Sequence, residues 1–139
     1  MMDESVQDNA AKRLLEALAE TNKLLREHAV QLRRSSIAAS TKTSLEAVSY
    51  TNGPVLEGYV EAELPNGDSV CWCLDIRWNP HSWVIEATLD QKSGDRQKTV
   101  KELPPQTPGD FESFLNVLRR MVRELLALSI NDIETGFHA

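Results

Sequence analysis

Apolar residues recur at helical spacing through the first part of the chain. Between Ser5 and Arg34 there is no glycine or proline, and alanine, leucine, glutamate, lysine and arginine dominate. These residues favour helices, and apolar positions three and four apart form one helix face. The pattern therefore predicts a helix of about eight turns, and it begins near Ser5 because Asp8 lies where a capping box needs an acidic residue.

Three leucines of this helix lie seven residues apart, which is the spacing of a coiled-coil seam. Leu18, Leu25 and Leu32 fit the d positions of a heptad. Asn22 then falls at an a position, where a polar residue often fixes register. In this interpretation the chain forms a homodimer through the seam residues Leu15, Leu18, Asn22, Leu25 and Leu32. In the alternative interpretation, which the short seam favours, the same stripe packs on the protein's own sheet.

The middle of the chain alternates apolar and polar residues, as half-buried strands do. The alternation covers Val55–Leu64, Ser69–Trp78 and Trp83–Asp90, with turn residues between them. Gln97–Leu103 is charged and weakly apolar, which suits an exposed edge strand. Leu45–Tyr50 fits either a short strand or a helical turn. The sequence thus predicts an antiparallel meander of four strands and leaves a fifth open at Leu45–Tyr50.

Helical spacing returns after the strands. Pro104 and Pro105 are predicted to stop the sheet, and Thr107 with Pro108 predicts a helix start in which the threonine is the cap. Apolar residues then follow helical spacing without a break. This amphipathic helix is predicted to cover the sheet. The expected core consists of Val60, Leu64, Trp72, Leu74, Ile76, Ile85, Leu89, Phe114, Leu118, Val122 and Leu125.

Together these elements predict an α+β fold with a long N-terminal helix, an antiparallel meander and a C-terminal helix packed on the sheet. Residues 1–36 form the N-terminal helix, which is a dimerisation arm in the coiled-coil interpretation. Residues 37–130 are expected to form one core, and residues 131–139 a frayed tail. A length of 139 residues is close to the commonest domain size, so one hydrophobic core is the expectation.

The charge balance narrows the class of partner. The formal net charge is −6, and such a field repels phosphate backbones and anionic lipids. We therefore expect a basic protein partner and neither nucleic acid nor membrane. The acidic start Met1-Met2-Asp3-Glu4 lacks the positive charge of a secretory signal, and no apolar run reaches the roughly 20 residues of a membrane span. The predicted location is cytoplasmic.

The sequence contains none of the standard nucleotide-binding, metal-binding or nucleophile motifs. The histidines His28, His81 and His138 lie far apart and are predicted to be incidental surface residues. Cys71 and Cys73 point to one face of a strand, but two thiolates are only half a zinc site. The two thiols cannot form a disulfide unless the strand bends, because Cβ atoms at this spacing on a strand are about 6–7 Å apart. We expect no cofactor, no metal and no catalytic residue.

One face of the predicted meander is acidic. If Leu64 pairs with Val70 and Trp78 with Trp83, the face away from the core gathers the candidate partner-binding residues Glu57, Tyr59, Glu61, Glu63, Asp75, Glu86 and Asp90. In that pairing Arg77 lies opposite Glu57 as the main compensating charge. A solvated sheet face is polar in any case, yet a like-charge pair across two strands destabilises a sheet.

The favoured hypothesis is a non-catalytic protein that docks a basic partner on this acidic face. In size, acidity and layout it is similar to toxin-neutralising immunity proteins and small secretion chaperones, without a shared motif. One alternative is a small-molecule-binding protein or enzyme whose pocket lies between sheet and helix and is lined by Trp72, Trp78 and Trp83. Another alternative is an adaptor that acts through its N-terminal helix.

Overall fold

The chain folds into two helices and five strands. The computed structural model describes residues 4–51, 53–79 and 82–128, and it describes side chains over 9–51, 53–78 and 82–128. The elements are α1 Glu4–Arg34, β1 Ser40–Tyr50, β2 Gly53–Glu63, β3 Ser69–Asn79, β4 Ser82–Ser93, β5 Arg96–Gln106 and α2 Phe111–Ala127. The strands form one antiparallel sheet in chain order. The predicted α+β fold is therefore confirmed. The predicted tail, residues 131–139, lies outside the described residues.

The fifth strand that the sequence left open is present. Leu45–Tyr50 is the second half of β1, which pairs with β2 from Ser40↔Glu63 to Tyr50↔Gly53. Its apolar pattern is weak because β1 is an edge strand that carries only two half-buried side chains along each face. The period-two signal that marks the central strands is correspondingly faint here.

Of the two predicted strand pairings, one is confirmed and the other is wrong. Trp78 lies opposite Trp83, as predicted. The pairing of Leu64 with Val70 is wrong by two residues, because Val70 lies opposite Ala62. The hairpin loop is longer than the turn residues suggest: the Leu64 amide donates to the Asp68 carbonyl at 2.8 Å, so Leu64 belongs to the loop.

The boundaries between β5 and α2 also differ from the prediction. β5 continues through Pro104 and Pro105 to Gln106. The two prolines lie at a register shift between the pairs Ala87↔Leu103 and Ile85↔Gln106, and an irregularity in an edge strand is where a sheet accepts residues without an N–H donor. The cap of α2 is Asp110 and not Thr107. The Asp110 side chain accepts a hydrogen bond from the Ser113 amide at 2.7 Å, which satisfies one of the first free amides of the helix.

Both helices pack on the same face of the sheet. Leu25 and Ala29 of α1 belong to the same buried cluster as Leu118 and Leu125 of α2. Every predicted core residue is buried except Leu64, which is partly buried. The hydrophobic core therefore lies between one sheet face and a layer of two helices.

Gly58 allows α1 to approach the sheet closely. A Cβ atom at this position would lie 3.1 Å from Leu45 Cδ1 and 3.2 Å from Leu25 Cδ1.

The two helices are also joined at their surface. Arg13 forms a two-pronged ion pair with Glu112. These contacts leave the opposite face of the sheet uncovered by either helix.

Candidate docking surface

The uncovered side of the sheet is called here the outer face. It is formed by the side chains of β2, β3 and β4 that alternate with the core residues, namely Val55, Glu57, Tyr59, Glu61, Cys71, Cys73, Asp75, Arg77, Val84, Glu86, Thr88 and Asp90. Most of these side chains are only half exposed although no helix covers them. The face is concave, with depressions of about 600, 330 and 250 Å³ along it.

All seven predicted partner-binding residues belong to this side of the sheet, with Glu63 at its exposed end. The predicted opposition of Asp75 and Glu86 is present. The two-residue register difference changes the neighbour of Glu57, which faces Asp75 and not Arg77. On its other side Glu57 faces Glu46 of β1.

Four carboxylates therefore lie in one line across four strands, and we call this line the carboxylate row: Glu46, Glu57, Asp75 and Glu86. Glu46 was missed by the sequence analysis because β1 was not assigned as a strand. Like charges directly opposite each other destabilise a sheet, by up to about 1 kcal/mol per pair. The row is a local electrostatic cost that the fold tolerates.

Arg77 and Tyr50 partly compensate the carboxylate row. Arg77 Nη2 is 3.7 Å from Asp75 Oδ2, and Arg77 Nε is 3.9 Å from Glu86 Oε1. The Tyr50 hydroxyl donates a hydrogen bond to Glu57, and this bond raises the pKa of Tyr50. Burial, followed by the charge of Glu57, raises the pKa of Asp75 in spite of Arg77.

The rest of the outer face carries more negative than positive side chains near its centre. Glu61 and Asp90 lie on either side of Cys71. Lys42 lies opposite Glu61 on the edge strand β1, and Lys92 lies at the opposite margin. The positive charges other than Arg77 thus lie at the border of the concave surface, and the carboxylates lie within it.

Cys71 and Cys73 lie side by side on the outer face, as predicted. Their Sγ atoms are 2.9 Å apart, and Cys73 Sγ is 3.7 Å from Asp90 Oδ2. The hydrogen bond to Cys71, burial and the nearby carboxylates raise the pKa of the Cys73 thiol. A thiol that stays protonated is a poor nucleophile. Within the described residues, no group of three or more histidine, cysteine, aspartate or glutamate side chains is placed to hold a metal ion.

The three tryptophans of the alternative ligand pocket are packed against other side chains. Trp72 is 1% exposed, and its indole N–H donates to the Leu128 carbonyl at 3.0 Å. The Trp83 ring stacks on Phe114 with ring centres 4.2 Å apart and contacts Trp78 at 5.6 Å. This packing does not support a ligand pocket between these rings and a helix.

The predicted dimerisation residues differ in how far they are buried. Leu25 and Leu32 are buried in the chain's own core, and Leu18 packs against it. Asn22 is half-buried, and Leu15 is 66% exposed. Most of the leucine seam therefore contacts the chain's own sheet and core. The homodimer stays a prediction, which these contacts do not support.

His28 is not the surface residue that the sequence predicted. Its ring lies edge-on to Trp72 with ring centres 4.7 Å apart, and its Nε2 atom is buried without a hydrogen-bond partner. Burial lowers the pKa of His28. The burial of His28 could not be predicted from the helical pattern around it, because polar residues are common at the border of an apolar stripe. His81 and His138 lie outside the described residues.

No protein-family model matches this chain, and no curated protein or solved structure is significantly similar to it. In the part of the chain that the structure describes, no helix is long and apolar enough to cross a membrane.

Proposed function

We propose that this chain is a non-catalytic interaction protein that docks a basic protein partner on its outer face. The observation that carries the proposal is the carboxylate row on a concave surface that neither helix covers. A cationic partner would relieve the repulsion between Glu57, Asp75 and Glu86, so binding would recover energy that the free sheet lacks. Neutralisation of a basic toxin and protection of a basic secreted protein are two roles of this kind.

The composition of the outer face supports docking over catalysis. Its carboxylates lie in an open depression, whereas acid–base catalysis by a carboxyl pair depends on environments that separate the two pKa values strongly. The neighbouring thiol of Cys73 is held in its protonated form. A surface that presents charge over a wide area acts mainly on encounter and selectivity, as complementary protein interfaces do.

The proposal is tested by capture with matched baits. Wild-type protein is compared with the triple variant Glu61→Gln, Asp75→Asn, Glu86→Gln. The control bait carries Glu16→Gln, Glu27→Gln and Glu124→Gln, which remove the same charge from exposed helix positions. We expect a basic protein that binds the wild-type and control baits, is lost from the triple variant and elutes as salt rises.

Two results would contradict the proposal. One is a partner that binds the triple variant as well as it binds the wild-type protein. The other is a set of captured proteins that are acidic or that do not respond to salt. Either result would assign the carboxylates to solubility and would direct attention to the helices.

A further inference from the structure

A depression of about 600 Å³ lies at the end of the outer face where β1 turns into β2. Its lining includes Tyr50, Val55, Glu57, Arg77, Val84 and Glu86. Pockets that bind small molecules have volumes of about 300–1,000 Å³ and combine an apolar lining with a few polar groups. The depression has both properties, and it is the largest of those described above on the outer face.

The apolar part of the depression is formed by side chains that the core does not use. Val55 is 7% exposed although it lies on the outer face, with Val48 and Arg77 as its cross-strand neighbours. Val84 lies on the far side of Arg77. Tyr50 is 50% exposed at the rim. A guest with an aliphatic stem can therefore contact two valines and a tyrosine ring.

The charged part of the depression consists of Glu57 and Glu86 from the carboxylate row, with Arg77 on the strand between them. Glu57 accepts a hydrogen bond from Tyr50, and Glu86 Oε1 is 3.9 Å from Arg77 Nε. The latter distance is longer than the roughly 2.7–2.9 Å of a charge-assisted hydrogen bond. Each carboxylate offers about four acceptor positions, so both keep acceptor capacity toward the depression.

We infer that this depression binds an arginine side chain of the basic partner. Its methylene groups contact Val55 and Val84, and its guanidinium group reaches Glu57 and Glu86 beside the Tyr50 ring. The inference rests on the proposed docking function and names the residue that anchors the partner. Arginine is a frequent anchor of interfaces because it combines a long apolar stem with several donors.

Arginine fits the depression better than lysine. A guanidinium group is planar, is weakly hydrated, stacks on aromatic rings and donates to two acceptors at once. An ammonium group is a compact and strongly hydrated charge, which loses more on leaving water. Arg77 also lines the depression, but the carboxylates of Glu57 and Glu86 outnumber its single positive charge. The net charge of the lining therefore favours a cationic guest over an anionic one.

The test compares an arginine analogue with two other small probes, one that has nearly the same shape and one that has the same charge. N-acetyl-arginine amide is titrated into the full-length protein and followed by amide NMR shifts. The citrulline analogue has nearly the same shape without the charge, and the lysine analogue has the charge without the planar group. We expect saturable shifts centred on Tyr50, Val55 and Val84, with the citrulline analogue about tenfold weaker and the lysine analogue between the two.

Variants locate the site. Glu57→Gln and Glu86→Gln should each weaken the arginine analogue by about tenfold, because each removes a charge-assisted contact. Glu61→Gln is the matched control, since it removes the same charge from the outer face but does not line this depression. It should change the affinity by less than about twofold at physiological salt. The comparison of the three probes on the wild-type protein decides the question even where a variant does not fold.

Equal binding of the arginine and citrulline analogues would overturn the inference. So would shifts centred on another part of the surface, or the absence of any saturable shift. Failure here is distinct from failure of the docking proposal, because Glu61 and Asp75 do not line the depression. A partner that is lost from a Glu61→Gln, Asp75→Asn bait while the arginine analogue fails to bind would leave the docking proposal standing alone.

Discussion

The two faces of the sheet are built by the same three central strands and differ in nearly every other respect. On the inner face Trp72, Leu74 and Ile76 are fully buried under the helices. On the outer face their chain neighbours Cys73 and Asp75 are half exposed in a concave surface. The inner face explains why the chain folds. The outer face has charges that folding does not require.

The two faces also contribute to stability with opposite sign, through apolar burial on the inner face and charge repulsion on the outer face. Burial of an apolar side chain stabilises the fold by about 1.5–3 kcal/mol, and the inner face has many such side chains. Carboxylates opposite each other on the outer face act against folding by smaller amounts. Mutations on the inner face should therefore lower the stability of the fold, and mutations on the outer face should leave stability unchanged or raise it.

The largest expected effect is the loss of a core leucine. Leu118 is 0% exposed between α2 and the sheet, so Leu118→Ala should lower the free energy of unfolding by about 2–5 kcal/mol. Leu15→Ala is the matched control on α1, where the side chain is 66% exposed, and it should change stability by less than about 0.5 kcal/mol. Urea denaturation measures both. Equal losses would show that the inner face is assigned wrongly.

The second expected effect is a pH dependence that originates on the inner face. Burial lowers the pKa of His28, so the folded chain binds a proton less readily than the unfolded chain. Stability is then full above the unfolded pKa of about 6.5 and falls as the pH drops through that value. Denaturation at about pH 7.5 and 5.5 should show this fall, and His28→Leu should reduce it. A His28→Leu variant with the same pH dependence as the wild-type protein would contradict the assignment.

A smaller effect of opposite sign is expected on the outer face. The pKa of Asp75 is raised by burial and by Glu57, so the folded chain favours the protonated form and loses stability as the pH rises through the titration of this group. Asp75→Asn should therefore stabilise the protein at neutral pH, by up to about 1 kcal/mol. The gain should vanish in acid, where Asp75 is protonated. Asp95→Asn, in the exposed turn after β4, is the control. A destabilised Asp75→Asn variant would mean that the contact with Arg77 outweighs the repulsion.

The inner face was largely predictable from the sequence. Alternation in β2, β3 and β4 identified the buried side chains, because a strand with one covered face must alternate. The Trp78–Trp83 pair followed from a short loop between two strong strands. Leu64 was the exception. Leu64 lies in the hairpin loop together with Asp68, which is buried. The Asp68 side chain is 3% exposed and accepts a hydrogen bond from Gln91 Nε2 at 3.2 Å. This contact joins residues far apart in the chain, so the local sequence pattern does not predict it.

The outer face was predictable in its membership and in the Asp75–Glu86 pair, but not in its other neighbours. Alternation placed Glu57, Asp75 and Glu86 on one face, and the Trp78–Trp83 pairing predicted that Asp75 lies opposite Glu86. The alignment of Glu57 with Asp75 depends on the register set by the Leu64–Asp68 loop. The addition of Glu46 depends on β1, whose polar sequence does not alternate clearly. The depression beside Tyr50 and Val55 is lined by residues of β1, β2, β3 and β4, so it exists only once these strands are assembled. Such features arise from contacts between distant residues, which periodicity cannot encode.

The most direct test of the docking account is the association rate of the captured basic partner, measured by stopped flow at low and at physiological salt. We predict that association slows as salt screens the outer face, since exposed charges are largely screened beyond about 8 Å at physiological ionic strength. The Glu61→Gln, Asp75→Asn, Glu86→Gln variant should associate more slowly and depend less on salt, with a smaller change in dissociation. An unchanged association rate with an unchanged salt dependence would contradict the claim that this face docks the partner.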